Sequence, residues 1–396
     1  MHGSIGFLND QILHRDAAGG LSCDQAFIRF LLAFRSRYDR VVLYSRVHPE
    51  PIATPLSVRV EGDGIEVVEL PFYPRISSLF SAPHRYWPGV DRALDGIEAL
   101  DALWLNTGHP VSVRALWRLR NRRRPALCAA LRGNYEHDAS IREGGGARIA
   151  AWTQTGMMHA FARLARRRDV PVLAYGDAAV ARARALGMRA LPFETTLLDA
   201  ALIADPPAAD PALHADLVTV CRIVREKGLD RLLDALPSLR RADGTPATLA
   251  IIGVGPQREA LQAQAVALGV QDRVHFRGYV AHGPGLMQQI RSAEVFVLPS
   301  RTEGVPATVL EAMAMRVPVV ATAIGGLPSL LADNRGLLVA AEEEGLPARF
   351  GAAVQQLLDD PPLRERVTAA AFAHVADLTL EGQVDRVVRL LDGARD

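Results

Sequence analysis

Short apolar runs alternate along this chain with longer stretches in which apolar positions recur every three or four residues. The first kind reads as strand and the second as amphipathic helix. In the first half the runs are SIGFL (4–8), RVVLYS (40–45), DALWL (101–105), ALCAAL (126–131) and VPVLAY (170–175). In the second half they are DLVTVC (216–221), TLAIIG (248–253), VHFRG (274–278), EVFVLP (294–299) and VPVVAT (317–322). Between them lie helical segments such as 24–37, where Phe27, Phe30, Leu31 and Phe34 share one face and read as core, not as a cofactor box. Strand and helix in strict alternation predict a parallel sheet wrapped by helices. The stretch ADPPAADPAL (204–213) breaks the alternation with prolines, which stop a helix and stiffen a connection, so a domain boundary is expected there.

Length agrees with that division. A chain of 396 residues is too long for one ordinary core and suggests two domains. A composition of 49% hydrophobic and 22% charged residues with net charge +1 is that of a globular protein, and neither a nucleic-acid binder nor a disordered chain fits it. Cys23, Cys128 and Cys221 show no zinc spacing and no disulfide framework, which points to a reducing cytosol. The opening residues MHGSIGFLND lack a basic leader and no apolar run is long enough to span a bilayer, so a cytoplasmic protein is expected.

The chemistry concentrates in the second half. LVTVCRIVREKGLDRLLDAL reads as a strand, a loop carrying Arg222 and Lys227, then a helix with Leu229, Leu232, Leu233 and Leu236 on one face. Two cations beside a helix start suit a phosphate-rich ligand; an ordinary solvated loop is the competing reading. IIGVGPQREA resembles a dinucleotide fingerprint, but Arg258 occupies its third glycine position, so Gly253 and Gly255 read as a tight turn near a ligand. In RTEGVPATVLEA, Glu303 lies in the loop after a buried strand, Pro306 is expected as the first residue of the next helix, and Glu311 lies about one and a half turns into it. Two carboxylates converging on one site suit a polyol, while a loop charge plus a surface glutamate is the plainer alternative. Phosphate cations, a glycine turn and diol-binding carboxylates in that order describe a nucleotide-sugar site. The upstream phosphate site argues against a glycosidase.

These segments resemble the donor-binding domain of the family 4 retaining glycosyltransferases. CRIVREKG, GVGP, EGVPATVLEAMA with its E-x7-E pair Glu303 and Glu311, and PVVATAIGG carry the likeness. The resemblance implies the GT-B fold, α/β, with two Rossmann-like doubly wound domains facing each other across a cleft. Residues 1–205 would form an acceptor-binding domain, 206–375 the donor-binding domain, and 376–396 a helix crossing back to the first. It further implies that Arg222 and Lys227 hold the donor diphosphate, that Glu311 binds the ribose diol and that Glu303 binds the sugar hydroxyls. Gly304, Val305, Ala307 and Thr308 would line the sugar and phosphate pocket with Gly255, and Tyr279 and Val280 would mark the base site. Gly19 and Gly20, before the first long helix, would bring bare backbone to the donor phosphate. His109 and His137 are the two candidates for a crevice histidine.

The implied activity is retaining transfer of a hexose-type sugar from a UDP or GDP sugar to an acceptor hydroxyl of a glycoconjugate, polysaccharide, lipid-linked or small-molecule acceptor. The implied mechanism is front-face, without a metal or other cofactor, since no D-x-D occurs in the chain. A sugar-nucleotide epimerase of the same fold is the alternative. Cys221, Arg316 and Ser329 depart from the family pattern. The basic stretches 113–127 and 161–171 read either as solvated helix faces or as surfaces for an anionic membrane on its inner face.

Overall fold

Every apolar run read as a strand forms one, and all ten take part in parallel ladders. The structure is a computed structural model that describes residues 2–23, 27–53, 58–131, 145–194 and 196–393. The chain divides into two compact units, Met1–Leu197 with Leu380–Asp396, and Leu198–Thr379.

The first unit holds β1 (His2–Arg15), β2 (Leu21–Cys23), β3 (Tyr38–Val47), β4 (Val58–Arg59), β5 (Ile65–Leu70), β6 (Ala102–Asn106), β7 (Ala126–Leu131), β8 (Pro171–Ala174) and β9 (Arg189–Pro192). Its parallel sheet runs β5-β3-β1-β6-β7-β8-β9, and β2 and β4 add an antiparallel ribbon at the end of β1. The second unit holds β10 (Ala215–Val220), β11 (Leu249–Ile252), β12 (Val274–Gly278), β13 (Ala293–Leu298), β14 (Val319–Thr322) and β15 (Leu337–Val339), in the order β12-β11-β10-β13-β14-β15. Each sheet therefore reverses its winding direction once, between β1 and β6 and between β10 and β13. Doubly wound sheets bind ligands outside the carboxyl ends of their strands at such a reversal.

Helices cover both faces of each sheet, and this is why the strands read as unbroken apolar runs. In β13, Val295 and Val297 enter one core cluster while Phe296 and Leu298 enter the other. Leu103 and Leu105 of β6 are likewise separated from Ala102 and Trp104. The first helix ends earlier than its apolar period suggested: Phe27–Ala33 is α-helical and Phe34–Ser36 tightens into a 3-10 turn. The terminal helix Leu380–Asp392 sends Val384, Val387, Val388 and Leu391 into the same cluster as Ile28, Phe30, Leu31 and Phe34. Arg37 pins it with two bonds to the Asp385 carboxylate, at 2.6 and 3.1 Å. Among the described residues no helix is long and apolar enough to cross a membrane.

Arg316, one of the departures from the family pattern, ends the helix Ala307–Ala314 in the left-handed region, with φ at 58°. The Val317 N–H reaches the Ala312 carbonyl at 2.9 Å and the Arg316 N–H the Met313 carbonyl at 3.2 Å, a helix stop that favours glycine. The guanidinium instead stacks over Phe372 at 3.7 Å from the ring centre. Relief of left-handed strain and loss of this stack are each worth about 1 kcal/mol and act in opposite directions. Arg316→Gly should therefore shift the melting temperature by no more than about 4 °C in a chain this size, measured by thermal unfolding.

Candidate functional site

At the reversal of the second sheet the loops after β10 and β13 lie side by side. The first carries Arg222 and Lys227, the second Glu303. Lys227 Nζ stands 2.5 Å from Glu303 Oε1, with the two side chains only 19% and 7% exposed. Ser300 Oγ donates to the same oxygen at 2.6 Å, and the Ser300 carbonyl accepts from the Thr322 hydroxyl at 2.6 Å. Both bonds land on Oε1, so Oε2 accepts no hydrogen bond among the described residues. Arg222 is exposed and makes no ion pair among them, which leaves its guanidinium free to reach outward. Burial pushes the neighbouring Cys221 thiol up to about 11 although Lys227 opposes the shift, so this sulfur is not a nucleophile at neutral pH.

The cationic loop is laced to its neighbours through backbone. Ile223 donates to the Val254 carbonyl at 2.9 Å and accepts from the Gln257 N–H at 3.1 Å. A Cβ on Gly253 would fall 1.9 Å from the Cys221 carbonyl oxygen, and one on Gly255 would fall 2.3 Å from that of Ile223. The GVGP glycines are thus required by the approach of the cationic loop itself. Gly228 is left-handed at φ 63°, with Pro299 O 2.1 Å from where its Cβ would be. Across the same junction Arg301 grips both Asp230 oxygens at 2.7 Å, and its N–H donates to the Glu226 carbonyl at 2.7 Å. Burial pushes the Asp230 carboxyl up, but the Arg301 guanidinium outweighs it and holds the group below the usual carboxylate range. Glu343 meets both Arg231 and Arg301.

Glu311 is not a surface glutamate. Its side chain is 3% exposed, His282 Nε2 lies 3.3 Å from Oε1, and Oε2 has no hydrogen bond among the described residues. Burying a carboxylate with so little compensation is costly, and such a group marks a place where a ligand is expected to supply donors. Pro306 caps the helix from outside with ψ at 122°, one position earlier than the sequence suggested. Gly304 and Val305, in the loop before it, and Ala307 and Thr308, in its first turn, are half-buried. Gly326 N–H holds the Gly304 carbonyl at 2.8 Å. Tyr279, 56% exposed, and the half-buried Val280 occupy the loop after β12, together with His282.

In the first unit the outcome differs from expectation. Gly19 and Gly20 form the turn between β1 and β2, not a bare loop running into a helix. Their amides are already engaged: Gly19 N–H bonds the Asp16 carbonyl at 3.0 Å and Gly20 N–H the Asp16 carboxylate at 2.8 Å. His109 caps the helix Pro110–Arg118, its Nδ1 accepting from the Val111 N–H at 3.3 Å. His137 lies outside the described residues. Of the basic stretches, Arg114 is paired with Asp91 and Arg168 bonds the carbonyls of Leu119, Arg123 and Pro125, while Arg114 and Arg120 stack on the exposed Trp117 ring.

Residues 214–360, which carry every one of these second-unit features, match the sequence profile described as "Glycosyl transferases group 1". This segment is similar to the group 1 glycosyltransferases. Relatives agree with the profile. A D-inositol 3-phosphate glycosyltransferase of Thermomonospora curvata is 35% identical over 192 residues, 46% of this chain and 43% of that protein. An alpha-D-kanosaminyltransferase of Streptomyces kanamyceticus is 37% identical over 38% of each chain. A GDP-mannose-dependent alpha-(1-6)-phosphatidylinositol monomannoside mannosyltransferase of Mycobacterium tuberculosis is 38% identical over 41% of this chain and 46% of its own. The matched region thus spans less than half of each of these relatives.

Solved structures extend the likeness to the whole fold. Sucrose-phosphate synthase from Thermosynechococcus elongatus superposes with a TM-score of 0.70 at 19% identity, covering 99% of this chain and 100% of that one. HepE of Anabaena in complex with UDP superposes at 0.68 and 16% identity, with the same coverage. The two-domain α/β architecture with parallel sheets is that of the GT-B fold. In this segment, the residues that sequence reading missed are Ser300, which bonds Glu303, His282, which lies beside Glu311, and Arg301, which holds Asp230 across the junction of the two loops.

Proposed function

We propose that this protein transfers a sugar from a nucleoside-diphosphate sugar to an acceptor hydroxyl with retention at the anomeric carbon. The observation that carries the reading is the pairing of a buried, under-bonded Glu311 with the Lys227–Glu303 contact on the neighbouring loop of the same sheet end. Glu311 accepts from the ribose hydroxyls. Glu303 offers Oε2 to the sugar hydroxyls while Oε1 stays fixed by Ser300 and Lys227. An ammonium has three donors, so Lys227 can hold Glu303 and a phosphate oxygen together, and Arg222 swings in from solvent to the diphosphate.

As the glycosidic bond breaks, charge gathers on the outer phosphate and these two cations stabilise it, which is the role a metal plays in other transferases. The acceptor hydroxyl then attacks from the face the phosphate leaves, and that phosphate takes its proton. A relative named for GDP-mannose and a fold neighbour in complex with UDP support a donor of the UDP or GDP type.

Calorimetric titration of UDP, GDP and their sugar conjugates into two variants tests the assignment. Glu311→Ala should weaken both the free nucleotide and the sugar nucleotide by about 10- to 100-fold, the worth of a charged hydrogen bond. Glu303→Ala should weaken only the sugar nucleotide. Equal losses of free nucleotide in both variants would contradict this division of roles between the two glutamates.

A further inference from the structure

We propose that Arg301 is a positioning residue that holds Lys227 in place for the outer phosphate of the donor, an inference that rests on assigning Lys227 to the diphosphate. Arg301 stands in the loop after β13, between Ser300 and Glu303. Its half-buried guanidinium crosses to the segment that follows β10 and forks onto the Asp230 carboxylate, Nη1 to Oδ1 and Nη2 to Oδ2, both at 2.7 Å. The same Nη1 donates to the Arg225 carbonyl at 3.0 Å, and the Arg301 main-chain N–H donates to the Glu226 carbonyl at 2.7 Å. The anchored positions, 225, 226 and 230, flank Lys227 on both sides. Lys227 itself is left to reach Glu303.

Lys227 ends a short 3-10 turn, Arg225–Lys227, and a turn of this kind holds its shape weakly. Within it the Lys227 N–H reaches the Val224 carbonyl at 3.0 Å and the Gly228 N–H the Arg225 carbonyl at 3.1 Å. Beyond it comes Gly228, the residue type that least restrains a backbone. A long ammonium side chain on such a turn would wander unless the turn were tied from outside. Arg301 supplies the tie, because a planar fork of fixed donors defines direction as well as distance. Ser300 and Glu303 belong to the same loop as Arg301, with Ser300 Oγ and Lys227 Nζ both on Glu303 Oε1. One loop thus fixes the backbone that carries the ammonium and the oxygen to which the ammonium is bonded. The remaining donors of Lys227 are then aimed, and a cation already in place meets a phosphate without first having to be ordered. Arg301 acts through Lys227 and not on the phosphate.

Free UDP or GDP carries on its outer phosphate the charge that the leaving group gains, and UMP or GMP lacks that phosphate. Calorimetric titration of whichever pair the wild-type protein binds therefore reads the Lys227 contact as a preference for diphosphate over monophosphate. Lys227→Ala should cut the preference by about 10-fold or more, the worth of a charge-assisted bond. Arg301→Ala should cut it by about 3- to 10-fold, the range for freeing one ordered side chain, and leave monophosphate affinity unchanged. Asp230→Asn, which removes the charge from the other side of the pair and keeps its size, should behave alike and is the parallel variant if Arg301→Ala fails to fold. In the Lys227→Ala background neither substitution should lower the preference further, because Arg301 then has nothing to position. Equal weakening of diphosphate and monophosphate in the folded variants, an undiminished preference in them, or a further loss in the Lys227→Ala background overturns the inference while the Lys227 assignment stands. An undiminished preference in Lys227→Ala, or binding of neither nucleotide, overturns both.

Discussion

Lys227→Ala should lower turnover by about 30- to 1000-fold, equivalent to about 2 to 4 kcal/mol of lost transition-state stabilisation, while weakening donor binding much less. Ground-state diphosphate shares its charge with the bonded sugar; only when that bond breaks does the outer phosphate need a nearby cation most. The geometry adds a second consequence. Lys227 is bonded to Glu303, whose side chain is largely buried, so the variant leaves a carboxylate with Ser300 as its remaining donor among the described residues. A modest drop in melting temperature should accompany the loss of activity. Arg222→Ala should lower turnover in the same direction with no change in melting temperature, because Arg222 is exposed and makes no ion pair among the described residues. Donor consumption with its acceptor, donor affinity by calorimetry and thermal unfolding together decide the matter. Near-wild-type turnover in Lys227→Ala would mean that the cationic loop is not the phosphate site.

Gly325→Ala should destabilise the protein by about 3 kcal/mol or more and remove donor binding at temperatures where the variant is still folded. Gly325 has φ at 56°, and a Cβ there would lie 1.9 Å from the Glu303 carbonyl oxygen and 3.1 Å from that of Gly304. Both are backbone atoms, so no rotamer change relieves the clash. The loop that carries Glu303 must move, and with it the contact to Lys227 and the hold of Gly326 on Gly304. Alanine at Gly304, where a Cβ meets nothing within 4 Å, is the matched control and should fold normally. A Gly325→Ala variant with wild-type melting temperature and affinity would show that this glycine pair does not hold the loop.

The sheets were legible because strands covered on both faces leave long apolar runs, and the runs at 126–131 and 294–299 could hardly be anything else. Strands with little to bury were not. β5 sets two exposed glutamates around a pair of half-buried valines, and β15 has three residues, one of them exposed. In the site, Lys227, Glu303 and Glu311 were visible as chemistry at strand ends. That Lys227 and Glu303 bond each other was not, because a hydrogen bond to a residue 76 positions away leaves no local pattern. Ser300 and His282 are ordinary residues until the fold places them beside a carboxylate. The glycines misled in the other direction. Gly19 and Gly20 carry the composition of a phosphate-binding loop, yet Asp16 already takes their amides, since an aspartate four residues before a glycine can close a turn on itself. GVGP likewise looked like a ligand loop, and its glycines answer to the neighbouring backbone.

The terminal helix Leu380–Asp392 gives the two units different histories. Leu198–Thr379 is one unbroken stretch, so every residue its core needs is made before the helix. The first unit is begun earlier but finished later. Its cluster of Ile28, Phe30, Leu31 and Phe34 waits for Val384, Val387 and Leu391, more than 340 residues downstream by the Arg37–Asp385 link. Domains usually fold in the order they are synthesised. Here the half made second is the one free to fold first, and the half made first spends most of translation with an apolar face uncovered.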